Sequence, residues 1–138
     1  MTALSASRIT KSRGITRKTS YLMAVSTTIY EGGMITINAS GLAIPAAAGS
    51  GFSQVVGVAA TSVTSAGSGS YYIEVLEGEF LFGADAITQA HVGSQMFAND
   101  DQTFDNTQGT NEPGCGMLIE FVSTTSGWIR VGPESAIA

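Results

Sequence analysis

Between Thr19 and Val131 no stretch of ten residues carries the 3.6-residue apolar spacing of a helix. What the sequence holds instead is a series of short runs rich in β-branched and aromatic residues, separated by Gly, Asn and Ser. The pattern predicts strands near 20–25, 33–38, 54–61, 71–76, 78–82, 95–98, 102–105, 115–123 and 127–131. Gly78 inside the run Tyr71–Phe82 reads as a bulge or bend. Thr125-Ser126-Gly127 reads as a tight hairpin turn, and Thr88–Val92 as a single helical turn with Thr88 as its cap. Many short strands at close spacing predict an all-β fold, a small β-sandwich or barrel-like body.

Charge is scarce and segregated. Charged residues are 12% of the 138, against about 25% in ordinary soluble domains. With so few charges to solvate a monomer, part of the surface is expected to lie against other protein; the alternative is a lone domain solvated by Ser and Thr. Five of the six basic residues, Arg8, Lys11, Arg13, Arg17 and Lys18, fall in the first 18 positions, with no acid among them. From Thr19 onward Arg130 is the only base, against eleven acids. The chain thus divides into an extended basic N-terminal arm, 1–18, and a β-rich body, 19–138. The arm has too little apolar surface to offset the entropy of ordering, so its order is expected to come from a partner. The five basic residues are its candidate partner-binding groups. Nucleic acid is not the expected partner: the first aromatic is Tyr21, so bases have nothing to stack on, and the acidic body repels a polyanion. An acidic protein surface fits better, for instance the body of a neighbouring subunit.

A repeated order of strand, turn, strand, loop, strand joins Gly33–Asn38, Leu42–Pro45 and Val56–Val58 to Gly93–Asn99, Gln102–Phe104 and Cys115–Met117. Either duplication or chance similarity among Gly-rich β segments produces such a pattern.

Groups that carry chemistry are sparse. The only histidine, His91, and the only cysteine, Cys115, lack the surroundings of a nucleophile and base, and read as a solvated or packed His and a small buried residue. Asn99-Asp100-Asp101 with Asp105 offers oxygen ligands for Ca²⁺, but lacks the Gly and distal Glu of the EF-hand loop and reads as an Asx-stabilised turn. Glu77 and Glu79 alternate along a strand, which suits a solvated face. No glycine-rich phosphate loop has a Lys at the required offset. No catalytic, cofactor-binding or metal-ligating residues are therefore assigned, and no enzyme activity is expected. One cysteine allows no internal disulfide, no apolar run reaches the length of a membrane span, and no secretory-type apolar run follows Met1, so a cytoplasmic site of synthesis is expected.

The chain resembles the capsid decoration (cement, or minor capsid) proteins of tailed phages. The resemblance rests on Ala24-Val25 leading to Ile29–Gly33, on Asn38–Pro45, Val56–Ala59, Tyr72–Phe80, Ile87–Gly93, Asn99–Phe104, Gly116–Glu120 and Gly127–Val131. It implies a β-rich body on the outside of an icosahedral head, usually a homotrimer at three-fold and quasi-three-fold positions. Its partners would be the major capsid protein and itself, with no nucleic acid and no membrane. It brings no catalytic residues. A tail- or baseplate-associated β module, or a carbohydrate-binding β module on the virion surface, is the alternative.

Overall fold

The computed structural model describes residues 3–131. These form the strands β1 (Ser12–Leu22), β2 (Thr28–Ile29), β3 (Met34–Ile37), β4 (Ala43–Pro45), β5 (Val55–Ala59), β6 (Val63–Thr64), β7 (Tyr72–Asp85), β8 (Gln95–Ala98), β9 (Thr103–Asp105), β10 (Gly114–Ser123) and β11 (Ser126–Val131), with one 3-10 turn at Gln89–His91. The fold is all-β, as the sequence predicts. The short strands β2 and β6 lie outside the predicted segments, Ser126 and Gly127 belong to β11 rather than to the hairpin turn, and two boundaries differ substantially. The first strand begins at Ser12 rather than near residue 20, and 71–76 and 78–82 belong to one strand. The irregularity at Gly78 lies in the partner: β1 loses register between Arg13 and Arg17, opposite Glu79 and Glu77. A Cβ on Gly78 would meet the bulged segment at Thr16 Cγ2 (3.0 Å) and Ile15 O (3.1 Å).

β7 organises the molecule because both of its edges are paired. Glu79 and Phe80 pair with β1 and with β11, so these two flank β7 on opposite sides. Val75 pairs with β1 and β5, and Gly83 with β11 and β9. The second half of β7 closes a five-stranded barrel through β11, β10, β8 and β9, the last returning to β7 in parallel.

The first half repeats the scheme with β1, β5, β3 and β4. This ring closes through one parallel bridge, Met23 to Ala43, with the Ala24 N–H donating to Ala43 O at 3.0 Å. An offset of 61 residues carries β1, β3 and β4 onto the second half of β7, β8 and β9; 59 carries β5 onto β10, and 54 carries the first half of β7 onto β11. Under these offsets the pair Tyr21–Ile73 becomes Phe82–Gly127, Ile35–Gly57 becomes Met96–Gly116, Thr36–Ile44 becomes Phe97–Asp105, and Met23–Ala43 becomes Ala84–Phe104. The bulges correspond too, at Val56 and Cys115. So do bonds outside the ladders: Met23 N–H to Tyr71 O (2.8 Å) matches Ala84 N–H to Thr125 O (2.9 Å), and Asn38 N–H to Leu42 O (2.8 Å) matches Asn99 N–H to Thr103 O (3.0 Å). The repeat suspected from sequence is therefore structural and extends beyond the segments first paired. Its register sets Gly32, not Gly33, against Gly93.

Two cores follow from the pleat. Along β7, Ile73 and Val75 enter one cluster with Met23, Ile29, Ile35, Ala43 and Ala59. Phe80, Phe82 and Ala84 enter the other, with Ile87, Met96, Phe104, Leu118 and Ile129. The odd positions serve the first barrel and the even ones the second, because successive side chains leave a strand on opposite faces. Met34 and Val58 alternate with Ile35 and Ala59, so they turn out of the first barrel and join the second cluster, cementing the two. A buried side chain of this size contributes about 1.5–3 kcal/mol.

Candidate functional site

The basic N-terminal segment is the strongest candidate for a binding surface, and in the structure it lies along the chain's own body. Arg8 donates its backbone N–H to Glu31 O (2.8 Å), and its guanidinium bonds Thr10 Oγ1 (2.7 Å) and Leu81 O (3.3 Å) while stacking 4.7 Å from the centre of the Phe82 ring. Burial there lowers the pKa of this guanidinium. Thr10 Oγ1 in turn donates to Gly32 O (2.6 Å). Lys11 accepts the Leu81 N–H at 3.0 Å through its carbonyl. Leu4 donates its N–H to the Asp101 carboxylate at 2.8 Å. The segment from Leu4 to Arg13 thus touches loops of both barrels.

Arg13 is the centre of this contact. Its Nε donates to Glu79 Oε1 at 2.9 Å, its Nη1 pairs with Glu120, and its guanidinium lies 4.4 Å from the Trp128 ring centre. Arg130 reaches the other oxygen of Glu79 at 3.2 Å. Partial burial pushes the Glu79 pKa upward, but the hydrogen bonds and charges of Arg13 and Arg130 outweigh it and hold it below the usual carboxylate value. Trp128 is only partly buried and serves as the platform for Arg13. Arg17 stands opposite Glu77 in the β1–β7 register, and Lys18 pairs with Glu74 at 3.1 Å.

These contacts change the expectation for the arm. Arg8, Arg13 and Lys18 each meet an acid or an aromatic face of the same chain, Arg17 stands opposite Glu77 in the ladder, and residues 12–18 are β-strand, so the boundary at 18 falls inside β1. The acidic groups that face this segment in the structure belong to the same chain. Composition tests whether a segment can fold alone; β1 is ordered by a strand sixty residues away, which composition does not register.

The remaining candidates are dispersed. Asp100 Oδ1 accepts the N–H groups of Gln102 and Thr103 and the Thr103 hydroxyl, the Asx turn expected from sequence. Asp105 accepts the Thr107 N–H. Asp101 is buried, and burial raises its pKa above the usual value against the pull of the Leu4 N–H. His91 Nδ1 accepts the Thr88 N–H (3.0 Å), and its Nε2 lies 3.1 Å from the Asn106 side-chain amide nitrogen. Cys115 is enclosed in the core, where burial raises its pKa far above the free thiol. Among the described residues no cluster of three His, Cys, Asp or Glu side chains is placed to hold a metal ion, and no helix is long and apolar enough to cross a membrane.

No match was found. Neither protein-family models, nor curated proteins, nor solved structures contain a significant relative of this chain.

Proposed function

We propose that the protein is a structural component of a virus particle, a decoration protein that binds the outside of an icosahedral phage head and stabilises its expanded form, assembling as a homotrimer on the major capsid protein. The reading begins from the strand-and-turn resemblance and is carried by one structural observation. Ile9 and Ile15, at 97% and 88% exposure, flank the segment that straps the barrels together. Two branched apolar side chains held that far into water on a rigid frame suit burial against another protein. Each such contact is modest, but several copies engaging together multiply their effect through high effective concentration. The test is binding of the purified protein to empty expanded heads, read by sedimentation and electron microscopy. Density at three-fold positions that is lost with Ile9→Ser and Ile15→Ser supports the reading; unaltered binding, or none by the wild type, removes it.

A second reading is favoured by a groove of about 340 Å³ in which Phe52 and Phe97 stand among Gln54, Gln95, Gln108 and Asn111. Aromatic and amide groups together suit a carbohydrate. Titration with neutral oligosaccharides that shifts the Phe52 and Phe97 resonances, with no affinity for heads, would establish it instead.

A further inference from the structure

The internal repeat exposes a difference between its two halves. In the second barrel, the edge of β7 that faces away from β11 is covered by the chain itself: Ser12 pairs with Phe80, Arg13 with Glu79, and the Leu81 N–H donates to Lys11 O. An offset of 61 carries Glu79, Phe80 and Leu81 back to Lys18, Thr19 and Ser20 of β1. The corresponding edge of β1 faces away from β7. The Ala60 N–H donates to Glu74 O at 2.9 Å, so the polar backbone groups of Glu74 point to β5. Glu74 is the register partner of Ser20, and this is therefore a non-hydrogen-bonded pair whose Ser20 N–H and C=O point outward. Lys18 and Leu22 share that direction by the two-residue period. One residue past Leu22 the edge closes, where Met23 and Ala24 meet Ala43. Among the described residues no strand is paired to the outward groups at Lys18 and Ser20.

We propose that this edge of β1 is a strand-acceptor site, taking an extended segment of a partner protein that places an acidic side chain opposite Lys18. Geometry gives the mode, because the equivalent edge already holds an added antiparallel strand. Charge gives the occupant. On β7 the acceptor residue is Glu79 and the added strand brings Arg13; on β1 the acceptor residue is Lys18, beside Arg17, so the complementary residue is Asp or Glu. Lys18 is already in an exposed pair with Glu74, of a kind that holds its partners only weakly, which leaves it able to turn to a second carboxylate. Main-chain bonds provide the affinity and this one position the selectivity. The proposal does not depend on what larger particle the protein belongs to.

The test uses the full chain and two synthetic peptides of its own residues 8–16, one natural and one carrying Arg13→Glu. Both have the register to offer the Lys11 carbonyl to Ser20. The readout is amide exchange at Ser20 by NMR. The Arg13→Glu peptide should slow that exchange about tenfold at about ten times its Kd, and the natural peptide should act more weakly. In a Lys18→Glu protein the preference should reverse. Ser20→Pro removes only an outward N–H, a change edge strands tolerate, and should abolish the peptide's slowing of exchange at the Lys18 amide, which points the same way, while the fold persists. If that variant fails to fold, the charge reversal still decides. Ser20 unaffected by either peptide, a preference unchanged by Lys18→Glu, or a Ser20 amide already protected by pairing between two copies of the chain would each overturn the proposal.

Discussion

Gly32 and Gly93 have the same backbone conformation, φ +88° and +90°, and donate their N–H groups to equivalent strands, at Ala59 O of β5 (3.0 Å) and Leu118 O of β10 (2.8 Å). They differ in what surrounds them. A Cβ on Gly93 meets nothing within 4 Å, whereas one on Gly32 would lie 2.1 Å from Arg8 O. Gly93→Ala should therefore cost only the left-handed backbone penalty, about 1–2 kcal/mol. Gly32→Ala should cost more and should loosen the N-terminal segment. Urea denaturation of both variants, with and without residues 2–10, checks this: the excess cost at Gly32 should vanish once the segment is removed.

The N-terminal segment is expected to be ordered in the isolated protein. Hydrogen exchange should find the Arg8 and Leu81 amides protected, since one donates to Glu31 O and the other to Lys11 O. Random-coil exchange at both positions would contradict the intramolecular seating. Arg13→Gln should accelerate exchange at Leu81, and more so at low salt, where the loss of its ion pairs is least masked by screening.

Two carboxylates should give the pH–stability curve opposite slopes. Glu79 has a folded pKa below its unfolded one, so its stabilisation is present above the ordinary carboxylate range and is lost as pH falls through the folded value. Glu79→Gln should flatten the acid side of the curve. Asp101 has a folded pKa above its unfolded one, because burial disfavours its charge. Its folded state binds more protons, so stability falls as pH rises from the ordinary carboxylate value through the folded one. Asp101→Asn can keep the Leu4 bond and should raise the urea midpoint at neutral pH. A lower midpoint would mean that the ionised carboxylate is net stabilising.

Core volume is distributed differently in the two barrels. Ala43 in the first occupies the position of Phe104 in the second, and Ala59 that of Leu118. Phe104→Ala should cost about 3–5 kcal/mol, as a large buried ring leaves a cavity behind. Thermal unfolding by calorimetry measures this, and a loss below 1 kcal/mol would mean that the second barrel collapses around the gap.

The strand content was legible because alternation and turn residues are local signals: β3, β5, β8, β10 and β11 begin and end within two residues of the segments read from sequence. The duplication was only half legible. Few residues survive at equivalent positions, among them Thr27 with Thr88, Gly32 with Gly93, Asn38 with Asn99 and Gly57 with Gly116. The paired core positions exchange small for large, as Met23 with Ala84 and Ala43 with Phe104, so pleat and register persist while similarity does not. One local signal does mark the two halves. The buried phase of β7 passes from odd positions, Ile73 and Val75, to even ones, Phe80 and Phe82. Such a change reads as a bend when one core is assumed, and as a strand between two cores when it is not. The seating of Arg13 on Glu79, Glu120 and Trp128 was not legible, because it joins β1, β7 and the β10–β11 hairpin, three parts of the chain distant in sequence.

A strand that is the last stave of one barrel and the first of the next also sets how the molecule can fail. Neither half can open without withdrawing a wall from the other. A shift of β7 by a single residue would present the wrong face to both interiors at once, so misalignment meets a double penalty. The two halves are thus expected to melt as one, despite their separate interiors, in the way that two rooms sharing a supporting wall come down together.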